Sequence, residues 1–167
     1  MKKILFLILL ATIWNVTLAQ DSNNHKDTRP LVNLNLNVFG DASVFSINFE
    51  RQIVLNHTLI LSTKLGLGYN QEFLIFDDDP EQYFTLPHHL TLNIGKTRHF
   101  FEVGIGGTLM PGNIFHPYVL YPIVGYRILP LRTKKINFRV FGEVPVSGYD
   151  NVNVIFVPFG LSIGISL

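Results

Sequence analysis

From Val32 onward the chain repeats one pattern: bulky apolar side chains at every second position, with small or polar ones between them. Val32, Leu34, Leu36 and Val38 alternate with Asn33, Asn35 and Asn37. A period of two sends successive side chains to opposite faces, so such a segment reads as a β-strand with one apolar face. Gly40-Asp41 punctuates a turn, and Phe45, Ile47 and Phe49 then alternate with Ser46, Asn48 and Glu50. A third segment sets Leu59, Leu61, Leu65 and Leu67 against Ser62, Lys64, Gly66 and Gly68. No stretch holds a helical period.

A longer loop over 70–83 separates the third segment from a fourth, where Leu86, Leu90, Leu92 and Ile94 oppose His89, Thr91, Asn93 and Gly95. Lys96-Thr97-Arg98 turns the chain into Phe101, Val103 and Ile105, opposed by Glu102, Gly104 and Gly106. Tyr118, Leu120, Val124 and Tyr126 stand against Tyr121, Ile123, Gly125 and Arg127, and Phe138, Val140 and Val144 against Asn137, Arg139 and Glu143. The last segment sets Phe159, Leu161, Ile163, Ile165 and Leu167 against Gly160, Ser162, Gly164 and Ser166. About eight strands of roughly nine to twelve residues result, close to the ~9–11 that a tilted strand needs to cross a bilayer.

Alternation alone fits a soluble lipocalin-like barrel as well as a membrane barrel. The distribution of bulk separates them. An eight-stranded barrel is just wide enough for side chains to fill its bore, so Leu, Ile, Val and Phe cannot all point inward, whereas Gly, Ser, Asn and a few long polar chains fit. The expected fold is therefore all-β: an antiparallel up-and-down transmembrane β-barrel of about eight strands, its lumen filled by polar side chains. With both termini at the inner end, turns near 52–56, 96–98 and 129–135 face the periplasm and the 70–83 loop faces outward. Glu50, Glu102, Arg127 and Arg139 then occupy the periplasmic half of the lumen, with Lys64 and Glu143 nearer mid-height. Three acids and three bases in one bore predict a structural charge network of paired Arg–carboxylate contacts. Phe39, Tyr69, Phe84, Tyr118 and Phe156 are expected in an outer aromatic girdle, and Phe49, Phe101, Tyr126 and Phe138 in an inner one.

The N-terminus agrees with export. Lys2 and Lys3, the apolar run Ile4 to Trp14 and the small residues Thr17 and Ala19 predict a signal peptide over 1–19, cleaved near Ala19/Gln20. That apolar run is too short for a transmembrane helix, which needs ~20 residues. Residues 20–30 read as a periplasmic lead-in and 31–167 as the barrel domain. Thirteen basic residues less Lys2 and Lys3 leave eleven against twelve acidic ones, a balance that argues against a nucleic-acid partner. Cys is absent, which excludes disulfides, lipidation at a cysteine and Cys-based metal sites.

The chain resembles the small eight-stranded outer-membrane barrels of the OmpA-transmembrane-domain and OmpX type, closest to uncharacterised members from Bacteroidota. The segments that carry the likeness are Phe45–Arg51, Asn93–Gly107, Tyr121–Arg127 and Pro158–Leu167. The resemblance implies residence in the outer membrane of a Gram-negative bacterium, among its lipid and lipopolysaccharide. It also implies handling by the barrel-assembly machinery, whose signal Gly160, Ile163, Ile165 and Leu167 resemble, though a terminal Leu stands where an aromatic residue is usual. It implies no particular activity.

No catalytic constellation stands out, and no cofactor or metal is expected. A structural or surface-interaction role is the leading reading; a lipid A-modifying enzyme and a small pore are the alternatives. The enzyme needs a nucleophile and base facing the outer leaflet. His88 has the parity of Leu86 and Leu90, so it faces outward near the outer end of its strand, with no serine partner in the pattern. A metal site at His88-His89 fails because adjacent strand residues face opposite ways. The acidic run Asp77 to Glu81 lacks the spacing of an EF-hand and reads as a solvated loop tip.

Overall fold

The structure is a computed structural model that describes residues 31–71, 81–112, 117–128, 135–146 and 155–167. Eight strands run in order: β1 (Val32–Val38), β2 (Phe45–Val54), β3 (Leu59–Gln71), β4 (Gln82–Lys96), β5 (His99–Leu109), β6 (Tyr118–Ile128), β7 (Ile136–Glu143) and β8 (Phe159–Ser166). Each pairs antiparallel with its sequence neighbour, and β8 returns to β1, so the sheet closes without a free edge. Closure matters because an open edge would leave a row of backbone donors and acceptors unpaired.

The two faces divide as the alternation predicts. Leu34, Leu36, Ile47, Leu65, Leu67, Ile105, Val124, Val140, Ile163 and Ile165 all lie exposed on the outside. Asn33, Asn35, Asn37, Ser46, Asn48, Glu50, Ser62, Thr91, Asn93 and Asn137 are buried in the bore. The apolar exterior is extreme: Phe84 is 77% and Leu67 67% exposed. Burying an apolar side chain of this size stabilises by roughly 1.5–3 kcal/mol, so a belt of them left outside in water forfeits that gain many times over.

Both termini of the barrel lie at one mouth, here the terminal end; the opposite mouth, the loop end, carries the β1–β2, β3–β4, β5–β6 and β7–β8 links. Strand lengths depart from the expected nine to twelve residues, running from 7 in β1 to 15 in β4. The gap between β3 and β4 is shorter than the 70–83 loop, because Asn70, Gln71, Gln82 and Tyr83 extend the ladder through Asn70↔Tyr83 and Gln71↔Gln82. The β2 ladder continues through Val54, which moves the first terminal-end turn to residues 55–58. In that turn Asn56 Oδ1 accepts from the Thr58 and Leu59 amides at 2.8 and 2.9 Å, so its side chain does the work of a tight turn. β7 stops at Glu143, leaving Val144 beyond the strand. Residues 1–30, the 129–134 part of another turn and the Asp77 to Pro80 part of the acidic run lie outside the described residues.

Two features of the loop end were not expected. Phe156 does not join an outward girdle; it packs against the lumenal ring of Tyr121, their centroids 6.4 Å apart. It thereby covers a buried apolar group of Ala42, Met110, Val119, Tyr121, Ile123 and Phe141 that closes this end of the bore. The β1–β2 link is the second. Rather than projecting outward, Asp41, Ala42 and Ser43 turn down into the lumen and are at most 4% exposed.

Candidate functional site

The lumen holds two polar layers of different construction. In the layer nearer the terminal end, Arg127 grips Glu50 with two contacts, Nη2 to Oε1 at 2.7 Å and Nη1 to Oε2 at 3.0 Å. Arg127 also stands 3.7 Å from Glu102, whose Oε2 accepts from Arg139 Nε at 2.7 Å. Asn35 Nδ2 donates to the same Glu50 oxygen at 2.9 Å. Strand register explains the geometry: Arg127 lies directly opposite Arg139, and Glu50 directly opposite Lys64. Two facing arginines would repel; the carboxylates from β2 and β5 reach across the bore and neutralise them. Arg139 gains a further contact, its guanidinium carbon lying 3.7 Å above the Phe141 ring.

Six charged residues were assigned to one network, and the structure sorts them into two places. Glu50, Glu102, Arg127 and Arg139 meet as described. Lys64 is buried beside them, although its Nζ has no hydrogen-bond partner. Glu143 belongs elsewhere: its Oε2 accepts from the backbone N–H of Asp41 at 2.9 Å.

That contact defines the second layer, built around a strained link. Phe39, Gly40, Asp41 and Ala42 have φ of 60°, 69°, 55° and 45°, four consecutive left-handed residues of which only one is glycine. Each non-glycine residue held there costs roughly 1–2 kcal/mol. Polar contacts hold the link in place. Asn70 Nδ2 donates to Ala42 O at 2.7 Å, Thr108 Oγ1 to Asp41 O at 2.6 Å, and the Val44 amide to Tyr69 O at 2.8 Å. The strain carries Asp41 into the middle of the bore. There its Oδ2 collects three donors: Asn37 Nδ2, Ser46 Oγ at 2.9 Å and Asn48 Nδ2 at 3.3 Å.

The other oxygen, Oδ1, faces His89 Nε2 at 3.0 Å. Asp41, His89 and Glu143 come from the β1–β2 link, β4 and β7, and one ligand-type atom of each lies within 4.8 Å of the others. All three are buried. Tyr121 completes the layer. Because Thr108 spends its single proton on Asp41 O, the Tyr121 hydroxyl donates to Thr108 Oγ1 at 2.8 Å and accepts from His89 Nε2 at 3.3 Å. Gly106 makes room for it: a Cβ there would collide with the Tyr121 ring and stand 2.9 Å from His89 Cδ2.

Asp41, His89 and Tyr121 were not singled out in the sequence as site residues. His89 had visible lumenal parity, but Asp41 read as a turn residue. The available signal was the small Ala42-Ser43 beside it, which lets the link enter a narrow bore.

The outward candidates sit where parity placed them. His88 packs on the exterior, its Nε2 2.8 Å from the Tyr118 hydroxyl and its Nδ1 3.2 Å from Leu86 O. The hydroxyl that meets this imidazole is therefore a phenol, not a serine. In β8, Gly160 faces the bore against the Phe141 ring, while Ile163, Ile165 and, just past the strand, Leu167 lie exposed on the outside. No protein-family model, curated protein or solved structure matches the chain.

Proposed function

We propose that this protein is an integral outer-membrane barrel of the small OmpA/OmpX-like kind, closed to solute flow, with a structural or surface-contact role. The observation that carries this reading is the inverted distribution of side chains. Every strand turns exposed apolar side chains outward, and Glu50, Lys64, Glu102, Arg127, Arg139 and Glu143 are buried inside. Such a surface is stable in hydrocarbon and not in water. Dimensions agree. The eleven residues of β5 span ~36 Å along the strand, hence ~26–30 Å across a bilayer at the usual 35–45° tilt, against an apolar band of ~25 Å. The outward pairs His88–Tyr118 and His99–Tyr126 lie toward opposite ends of the barrel, as amphipathic rings at two interfaces would.

Sealing argues against a pore. The bore is closed at the loop end by the Ala42, Met110, Tyr121 and Phe141 group and crossed lower down by the Arg127–Glu50 and Arg139–Glu102 pairs. The protein expressed with its first nineteen residues should fractionate with outer membranes, resist carbonate extraction and migrate faster on gels unheated than boiled. Planar bilayers containing it should show no discrete conductance steps. Release into the soluble fraction would contradict membrane residence, and stable single-channel currents would contradict closure.

A further inference from the structure

We propose that Asp41, His89 and Glu143 form a binding site for one divalent transition-metal ion of the zinc class, which pins the inverted β1–β2 link to β4 and β7. The three residues offer one imidazole nitrogen and two carboxylate groups, drawn from three separate elements and converging in the bore. An imidazole with carboxylates suits zinc and its neighbours better than calcium or magnesium, which prefer oxygen alone.

The polar atoms around the site are arranged for a ligand. Asp41 Oδ2 is saturated by Asn37, Ser46 and Asn48, which fixes the carboxylate and leaves Oδ1 directed at the cluster. Asp41 Oδ1 meets only the His89 nitrogen, and Glu143 Oε1 has no hydrogen-bond partner, though both residues are at most 2% exposed. An unpaired carboxylate oxygen at such depth is costly. The arginines are engaged with Glu50 and Glu102, which leaves Asp41 and Glu143 to the imidazole and to each other. Asp41 Oδ1 and His89 Nε2 at 3.0 Å are also spaced much as two ligands of a tetrahedral ion with ~2.0–2.1 Å bonds, about 3.3 Å apart, with the ion taking the place of the Nε2 proton. The Tyr121 hydroxyl stands beside the nitrogen, where it or a water would complete the shell.

A metal here would offset the strain of the link. Four left-handed residues are held in place so that Asp41 reaches the centre of the barrel, and an ion bound to it would tie that link to the walls. The role is structural, since the apolar cap separates the cluster from the loop-end mouth.

The test refolds the untagged mature chain into detergent with and without Zn²⁺ and measures metal content after chelator treatment and gel filtration. The wild type should retain about one zinc per folded chain, and His89→Gln and Asp41→Asn should each lose at least nine-tenths of it. His88→Gln, which alters only the outward imidazole, should retain it. A second readout needs no variant: Co²⁺ in the refolded wild type should give the intense visible bands of a four-coordinate site. Folded wild type without chelator-resistant zinc and without those bands would overturn the proposal. So would retention by His89→Gln with loss in His88→Gln, which would place the ion on the exterior.

Discussion

The two polar layers of the lumen solve the same problem by different means. Near the terminal end, long side chains from regular strands reach across the bore and pair: Arg127 with Glu50, Arg139 with Glu102. Toward the loop end, a short acid is delivered by strained backbone, and Glu143 takes the Asp41 amide in place of a cation. Both layers keep buried polar atoms without a partner, among them Lys64 Nζ and Glu102 Oε1 in the first and Glu143 Oε1 in the second. Only the second rests on strained backbone, which structures keep where something else depends on it. The difference teaches that a filled lumen is not uniformly a structural one.

The largest expected effect breaks the paired layer. Arg127→Ala strands Glu50 at full burial and removes one neighbour of Glu102, so unfolding in detergent should become easier by roughly 3–5 kcal/mol. Arg127→Met keeps the bulk but still strands the acid, so it should recover little. If either variant matches the wild-type midpoint, the pairing does not hold the layer together.

A smaller loss is expected at the second layer. Asp41→Ala takes the acceptor from Asn37, Ser46 and Asn48 and costs about 1–3 kcal/mol for the donors left buried. It also removes the charge facing Glu143, which offsets part of that cost. A loss equal to that of Arg127→Ala would erase the distinction between the layers.

The smallest effect has the opposite sign. Ala42 sits at φ 45°, where glycine carries no Cβ penalty. Ala42→Gly should therefore raise the unfolding midpoint, by about 1 kcal/mol at most, since glycine also gains freedom in the unfolded chain. A clear destabilisation would show that the Ala42 methyl matters more to the apolar cap than the strain does.

How much of this the sequence disclosed follows from what alternation can encode. A period of two states which face each residue occupies, and the parity of Glu50, Lys64, Glu102, Arg127, Arg139 and His89 was legible at once. The eight strands followed from counting the alternating segments, and the outward placement of the bulky side chains from the steric limit on the bore. Alternation does not say which lumenal residues lie across from one another, because that depends on strand stagger around a closed sheet. Glu102 and Glu143 were therefore read into one network at different depths, yet one meets Arg139 and the other the Asp41 amide. Nor does it describe a link that reverses into the bore. Gly40-Asp41 carries an ordinary turn signature, and only the packing of Ala42 against Met110, Tyr121 and Phe141 shows that the turn is buried. Phe156 was misplaced for the same reason: aromatic residues near strand ends suit a lid as well as a girdle.

The central claim is that the apolar exterior meets lipid while the lumen is packed and closed. The chain has no cysteine, so single spin-labelled cysteines can report on it in reconstituted vesicles. A label at Val124, outward in the middle of β6, should collide readily with dissolved oxygen and scarcely with a water-soluble nickel complex. A label at Arg98, in the exposed β4–β5 turn, should show the reverse. Nickel collisions at Val124 as frequent as those at Arg98 would place the outer face in water and contradict the account.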